Sequence, residues 1–128
     1  DEKYGDWASS GEIDIIELIG HEPSTYHGTL HFGGSWPRNK HQGDKYRLTN
    51  GTFADNFHIF PIQWEEGKIT WSIDEELWQT EQKWDTEKAT FPAPFDQRFH
   101  LLINLAVGGR WPGSPNEQTH FPAKMLID

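Results

Sequence analysis

The sequence contains no cysteine and few basic residues, and both shortages exclude whole classes of protein. Without cysteine, the chain forms no disulfide, has no catalytic thiol and cannot hold zinc through thiolates. Twenty acidic residues against 11 basic ones give a net charge of −9, which argues against a nucleic-acid surface or a polybasic membrane patch. No apolar run approaches the roughly 20 residues that a membrane-spanning helix needs. We therefore expect neither nucleic acid nor membrane as a partner.

Apolar residues are scarce as well, at 34% of 128 residues, but many of them are aromatic: seven Trp, eight Phe and three Tyr. This length allows one domain, residues 1–128, with a modest core. The aromatic content argues against a disordered chain. The sequence begins with Asp rather than Met, so a processed or partial chain is expected.

Short segments of alternating polarity between Gly and Pro punctuation predict strands rather than helices. The predicted strands are Glu12–Ile19, Thr25–Phe32, Phe57–Trp64, Lys68–Ile73, Leu77–Gln82, Phe99–Val107 and Pro122–Asp128. The predicted loops are Gly33–Gly51, Pro92–Arg98 and Gly108–Thr119. This pattern predicts an all-β fold, an antiparallel β-sandwich of jelly-roll type. The tryptophans of the predicted strands are expected in its core; they are Trp64, Trp71 and Trp78.

The segment Gly11–Leu18, with the sequence GEIDIIEL, combines three acidic residues with several aliphatic ones. Side chains alternate between the faces of a strand, so Glu12 and Asp14 share a face. Glu17 comes three residues after Asp14, and a regular strand would point it into the core, where an unpaired carboxylate is unfavourable. We therefore predict a β-bulge near Ile15–Ile16 that returns Glu17 to the face of the other two acids.

Such a bulge would bring the carboxyl groups close enough for acid–base chemistry. Glu12 and Glu17 would be separated by about four strand rises of ~3.3 Å, roughly 13 Å between Cα atoms. Side chains that lean together can close this to the ~5–5.5 Å that a retaining glycosidase needs. Three carboxylates so close cannot all stay ionised, so at least one pKa should rise, which suits a general acid. From the residues alone, a calcium site and a solvent-exposed acidic strand remain alternatives.

Several motifs, in matching order, resemble the family-16 glycoside hydrolases over nearly the whole chain. The acidic stretch Glu12–Glu17 is similar to the bulged E-x-D-x-x-E active-site motif of that family, and Trp7–Glu12 is similar to W-P-A-S-G-E in laminarinases. Segments that resemble later parts of the family are His27–Phe32, Phe57–Trp64 and Asn104–Gly113. The extra residue Ile16 points away from lichenases, and Ala106–Gly113 favours laminarinases over agarases and carrageenases.

The resemblance implies that Glu12 is the nucleophile, Glu17 the general acid/base and Asp14 the carboxylate that assists them. The implied reaction is endo-hydrolysis of β-1,3-glucosidic bonds in laminarin-like β-glucans by double displacement with retention. This chemistry requires no cofactor. The resemblance also implies a structural calcium, with Asp128 as a candidate ligand, and a secreted, extracellular protein whose partner is a β-glucan polysaccharide.

Four residues are candidates for binding the sugar. His31 lies on the polar face of Thr25–Phe32 and resembles a histidine near the family's carboxylates, although a structural histidine is an equal alternative. Asn104 is a polar residue in an apolar segment and could hydrogen-bond sugar hydroxyls or fix a loop. Trp111 and Trp36 lie in predicted loops, where an exposed indole can stack on a pyranose face.

The catalytic domains of this family are longer than the present chain, so the predicted sandwich is expected to be incomplete, without its first strands and its last one. Half a sandwich would expose long unpaired edges, and we expect the rest of the domain, or another chain, to cover them. A non-catalytic glucan-recognition protein on the same fold is the alternative function. Such relatives often lose the catalytic acids, and the presence of all three favours an enzyme. A purely structural calcium-binding β domain is a third interpretation.

Overall fold

The computed structural model describes residues 3–127 and divides the chain into two units, residues 1–98 and 99–128. The strands of the described residues all lie in the first unit. They are β1 (Glu12–Leu18), β2 (Thr25–Gly33), β3 (Asn39–Arg47), β4 (Ile62–Glu65), β5 (Lys68–Ile73) and β6 (Glu76–Glu81). Residues 3–127 contain no helix that is long and apolar enough to cross a membrane.

The six strands form two antiparallel sheets of three strands each, with the orders β1-β2-β3 and β4-β5-β6. Within each sheet, the strands that pair with each other are also consecutive in sequence, and short polar segments connect them. Gly67, with φ 74°, closes the β4–β5 hairpin, as its sequence predicts. Asp74 adopts φ 50° in the next turn without the aid of glycine, and its Oδ1 accepts a hydrogen bond from the Ile59 amide at 3.0 Å.

The core lies between the two sheets, because β2 and β5 each turn alternate apolar side chains towards the other. These buried residues are Tyr26, Leu30 and Phe32 of β2 and Ile69, Trp71 and Ile73 of β5. The Tyr26 hydroxyl donates to the Ser72 carbonyl at 3.3 Å and accepts a hydrogen bond from the Trp78 indole. Burial raises the pKa of Tyr26 to about 12, so its hydroxyl stays protonated between the sheets.

The prediction of Gly33–Gly51 as a loop is wrong, because nine of its 19 residues form strand β3. β3 pairs with β2 over nine residue pairs, from Asn39 opposite Gly33 to Arg47 opposite Thr25. Its side chains are almost all polar and exposed, as is common for an edge strand that must not aggregate. The backbone ladder with β2, rather than an apolar pattern, holds this strand in place.

The apolar segment Phe99–Val107 lies in no β-ladder of residues 3–127, which contradicts its prediction as a strand. Its large side chains face solvent; Leu101 and Leu102 are 73% and 75% exposed. Alternating polarity suits a strand, but a strand forms only where a neighbour accepts and donates the backbone hydrogen bonds. The predicted strand Pro122–Asp128 is irregular over its described residues 122–127 for the same reason.

The segment Phe57–Trp64 and the residue Trp64 differ from their predicted structure. The predicted strand Phe57–Trp64 forms only at its end, from Ile62, and Phe57 and Ile59 are fully or mostly exposed. Trp71 lies in the core as predicted, with 1% of its surface exposed, and Trp78 is half-buried. Trp64 is 37% exposed and its indole donates to a backbone carbonyl, so it is not a core residue.

Gly28→Ala should destabilise the fold, because Trp71 occupies the space that a side chain at Gly28 would need. A Cβ there would lie 2.7 Å from both Cδ1 and Nε1 of the Trp71 ring. We expect a loss of about 1–3 kcal/mol in the free energy of unfolding, measured by denaturant titration. Gly20→Ala is the matched control, since a Cβ at Gly20 meets nothing within 4 Å. Equal losses in the two variants would contradict this packing.

Candidate active site

The acidic strand β1 carries a bulge in its ladder with β2. The register shifts between Asp14 and Glu17, so that Ile15–Ile16 oppose the single residue Gly28. Residues directly opposite each other share a face of the sheet. The pairs are Glu12 with His31, Asp14 with Thr29 and Glu17 with His27. The bulge is therefore confirmed, and it places the three acidic residues on one face together with the polar face of β2.

Two aromatic residues contact the first two carboxylates directly. The Trp7 indole donates a 2.5 Å hydrogen bond to Glu12 Oε2, and His31 Nε2 lies 3.1 Å from Asp14 Oδ2. The Trp7 and His31 rings are themselves 5.5 Å apart. One side-chain atom from each of Glu12, Asp14 and His31 lies within 4.8 Å of the others. The site is thus a compact cluster whose carboxylates are oriented by neighbouring donors.

Glu17 is half-buried and holds its proton more tightly than an ordinary glutamate. Burial raises the pKa of Glu17, and the nearby carboxylates of Asp14 and Glu12 raise it further. His31 and a hydrogen bond with Thr29 act in the opposite direction without reversing the shift. A carboxyl group whose pKa is raised in this way can donate a proton nearer to neutral pH, which is what a general acid requires.

The contact with Asp14 at 3.1 Å also raises the pKa of His31, although burial opposes the shift. The other ring nitrogen of His31, Nδ1, is buried and has no hydrogen-bond partner among residues 3–127. A protonated imidazole next to Asp14 would lower the negative charge of the cluster by one unit. His31 is therefore suited to balance the charge of Asp14 and to hold its orientation beside the two glutamates.

Glu17→Gln should stabilise the protein at neutral pH, because the folded state disfavours the ionised form of the Glu17 side chain. A group with a raised pKa in the folded state adds stability at low pH, and this contribution disappears as the pH rises through the folded-state pKa. We expect a higher melting temperature than wild type at about pH 7, and no difference below about pH 4. Glu66→Gln, on the exposed β4–β5 turn, is the control. A lower melting temperature for Glu17→Gln at neutral pH would contradict the assignment.

A calcium ion fits this cluster poorly. Calcium takes six to eight oxygen ligands, whereas the group that could hold a metal consists of Glu12, Asp14 and the imidazole of His31. The Trp7 indole already occupies Glu12 Oε2, and His31 faces Asp14 Oδ2. The donor set therefore favours acid–base chemistry over the calcium alternative. The other predicted calcium ligand, Asp128, lies outside the described residues.

The structure brings one of the four predicted sugar-binding residues, His31, to the carboxylates. His31 contacts Asp14, and Trp36 is 71% exposed with its amide hydrogen-bonded to the Trp7 carbonyl at 3.2 Å. Asn104 and Trp111 belong to the second unit, where both side chains are exposed. Trp111 lies within a turn closed by paired hydrogen bonds between Gly109 and Gly113. The roles of all four residues stay predictions.

Three further residues lie beside the carboxylates or His31, and the sequence had assigned none of them a role in the site, although Thr29 lies on the predicted polar face of Thr25–Phe32. Trp7 is 44% exposed and donates to Glu12, and Thr29 hydrogen-bonds Glu17. His41 lies opposite His31 in the β2–β3 ladder, with the two rings 5.9 Å apart. Trp7 could have been found from its place five residues before Glu12. His41 could not, because the strand that carries it was predicted to be a loop.

Known proteins resemble this chain in sequence and in fold. A glucan endo-1,3-beta-glucosidase A1 from Niallia circulans is 44% identical over 135 residues, covering 100% of this chain and 20% of that protein. A beta-1,3-glucan-binding protein from Penaeus monodon is 35% identical over 129 residues, covering 83% of this chain and 35% of that protein. The catalytic domain of an endo-1,3-beta-glucanase (laminarinase) from Thermotoga petrophila RKU-1 superposes with a TM-score of 0.72 at 35% identity, covering 90% of this chain and 46% of that chain.

The structural match confirms the predicted all-β, antiparallel fold of jelly-roll type. The chain spans less than half the length of each of these three proteins. The profile of the glycosyl hydrolases family 16 matches residues 3–124, which is nearly the whole sequence. With a match of that extent, on a fold that carries the acidic bulge in β1, the chain belongs to glycosyl hydrolase family 16.

Proposed function

We propose that the protein is a retaining endo-β-1,3-glucanase that acts on laminarin-like β-glucans. The observation that carries this proposal is the bulge in β1, which places Glu17 on the same face as Glu12 and Asp14. A retaining glycosidase needs two carboxyl groups with different protonation states beside the scissile bond. The names of the similar glucanases from Niallia circulans and Thermotoga petrophila support β-1,3-glucan as the substrate.

In the first step, the Glu12 carboxylate attacks the anomeric carbon and forms a covalent ester with the sugar. Glu17 transfers its proton to the leaving glycosidic oxygen at the same time. The hydrogen bond from the Trp7 indole leaves the second oxygen of Glu12 to act as the nucleophile. Asp14 lies next to Glu12 on the same face, with His31 holding its orientation.

In the second step, Glu17 is ionised and takes a proton from water, which attacks the anomeric carbon and releases Glu12. The change of role has a physical cause in this cluster. The negative charge of Glu12 is one of the influences that raise the pKa of Glu17. Once Glu12 is bound as a neutral ester, that influence is lost and the pKa of Glu17 falls, which suits a general base.

The exposed indole of Trp7 beside Glu12, and that of Trp36 on the adjoining backbone, support a polysaccharide as the ligand. Trp7 and Trp36 are 44% and 71% exposed, and their backbones are hydrogen-bonded to each other. Indole faces bind the apolar face of a pyranose ring, while polar groups such as His31 can hydrogen-bond its hydroxyls. Because a glucan polymer is too large to enter a cell, we also propose that the protein acts outside it.

Product analysis tests the proposal. The full-length protein is incubated with laminarin, and the anomeric proton signals are followed by NMR from the first minutes. We expect oligosaccharides of several lengths whose new reducing ends are initially β anomers. Initial α anomers would contradict retention, and release of glucose alone would contradict endo-hydrolysis. A β-1,4-glucan of similar length, which should remain intact, is the control for linkage.

A non-catalytic glucan-binding protein is the second candidate, since the similar protein from Penaeus monodon is named for binding alone. The presence of Glu12, Asp14 and Glu17, and the raised pKa of Glu17, favour hydrolysis. The two candidates predict different results with laminarin. A binding protein would bind laminarin in a gel-shift or calorimetric assay but would produce no new reducing ends.

A further inference from the structure

We propose that Trp71, in the sheet opposite β1, is a positioning residue that holds the bulge and thereby sets the place of Glu17. This inference rests on the proposed function, because it concerns the residue to which that function assigns the proton transfer. Trp71 does not contact the carboxylates. It would act from behind the sheet, on the backbone that carries them.

Trp71 makes a hydrogen bond to the backbone where the bulge begins. Its indole Nε1 donates to the Asp14 carbonyl at 3.0 Å, and only 1% of the residue is exposed. Asp14 is the last residue of β1 that pairs in regular register before the shift. A bulge leaves part of the ladder without partners, and a buried carbonyl without a donor is unfavourable. The indole supplies a donor at this position from the other sheet.

Gly28 makes room for this contact. It is the single β2 residue opposite the two bulged residues, and the Trp71 ring occupies the place where its side chain would be. A Cβ at Gly28 would lie 2.7 Å from Nε1, the atom that donates to Asp14. The ring is therefore confined beneath the bulge, with its donor directed at one carbonyl. An aromatic ring of another shape would fill the core without making this bond.

The bulge separates the two glutamates along β1. Glu12 and Asp14 precede it and pair in register with β2, whereas Glu17 follows it. A change in the bulge therefore moves Glu17 relative to Glu12, while Glu12 keeps its own partner in the ladder. Misplacement of a reacting group by about 1 Å can lower a rate about 10²-fold. Loss of the Trp71 bond should thus affect proton transfer by Glu17 more than attack by Glu12.

Two substrates separate these effects in the full-length Trp71→Phe variant. Laminarin needs a proton on its leaving oxygen, whereas a dinitrophenyl β-laminaribioside does not. We expect kcat/KM to fall about 10²-fold for laminarin and only slightly for the aryl glycoside. Trp84→Phe is the matched control: Trp84 is also buried, at 6% exposure, and its indole donates to the Pro92 carbonyl at 2.7 Å. It should leave the ratio of the two constants unchanged.

The pKa of Glu17, measured by carbon-13 NMR of its carboxyl group, provides a readout that does not depend on activity. We expect it to fall towards the ordinary value in Trp71→Phe and to stay at the wild-type value in Trp84→Phe. Equal losses on both substrates, an unchanged Glu17 pKa in Trp71→Phe, or the same changes in Trp84→Phe would overturn the role of Trp71. A wild-type protein that hydrolyses neither substrate would contradict the proposed function instead, and the pKa comparison would still decide the role of Trp71.

Discussion

Glu17→Ala should lower hydrolysis of laminarin by about 10²- to 10⁴-fold, the usual contribution of a positioned general acid. The leaving group in laminarin is a sugar alkoxide, which departs only when it receives a proton. A dinitrophenyl glycoside has a leaving group that needs no proton, so this variant should still form the covalent intermediate with it. The measurement is a burst of dinitrophenol followed by slow turnover, because water then lacks a general base.

Added azide gives the Glu17→Ala variant a nucleophile that needs no base. Azide should attack the intermediate from the face that the leaving group vacated, and the product should be the β-glycosyl azide. The variant should unfold at or above the wild-type temperature, since the disfavoured Glu17 carboxylate is gone. An α-glycosyl azide from this variant would mean that Glu17 is the nucleophile.

Glu12→Ala should abolish turnover of both laminarin and the activated glycoside, by about 10⁴-fold or more, which is the usual loss when a covalent nucleophile is removed. No other described carboxylate takes the place of Glu12 opposite His31 in the ladder. Azide can then attack only directly, from the face that Glu12 occupied, and should give the inverted α-glycosyl azide. Product stereochemistry by NMR is the measurement.

Comparison of the two variants decides the assignment. A β-azide from Glu12→Ala together with an α-azide from Glu17→Ala would reverse the roles of the two glutamates. Thermal unfolding of both variants provides the control for folding. Loss of the Trp7 hydrogen bond in Glu12→Ala should be visible as a change in the Trp7 indole proton signal, without a change in the signals of the core residues.

The bulge in β1 could be predicted from the sequence because it follows from a conflict within a short segment. In a regular strand Glu17 would lie on the face opposite to that of Asp14, which is the face of the core. A buried unpaired carboxylate is unfavourable enough to exclude that arrangement. A bulge is the smallest change that resolves the conflict. The raised pKa expected for one of three close carboxylates follows from the same reasoning, and the structure assigns it to Glu17.

The strand β3 and the irregular segment Phe99–Val107 could not be predicted, because both depend on whether a neighbouring strand pairs with their backbone rather than on their own polarity. β3 has few apolar residues, and its nine pairs with β2 supply the stabilisation. Phe99–Val107 has the apolar pattern of a strand but lies in no ladder of the described residues. The pattern of polar and apolar residues in a segment predicts which side chains are buried. A strand also requires a neighbouring strand that pairs with its backbone N–H and C=O groups.

The sequence by itself determined the acidic motif of this protein: the three carboxylates, their spacing around one extra residue, and the all-β pattern that places them on a sheet. Only the tertiary structure decided what surrounds them. It brings Trp7 to Glu12, His31 to Asp14 and the Trp71 indole to the back of the bulge. The alternation of side chains between the two faces of a strand is a local property of the backbone, so the sequence of one segment is enough to predict it. Contacts between strands and between sheets depend on the register of the whole fold, which no single segment contains.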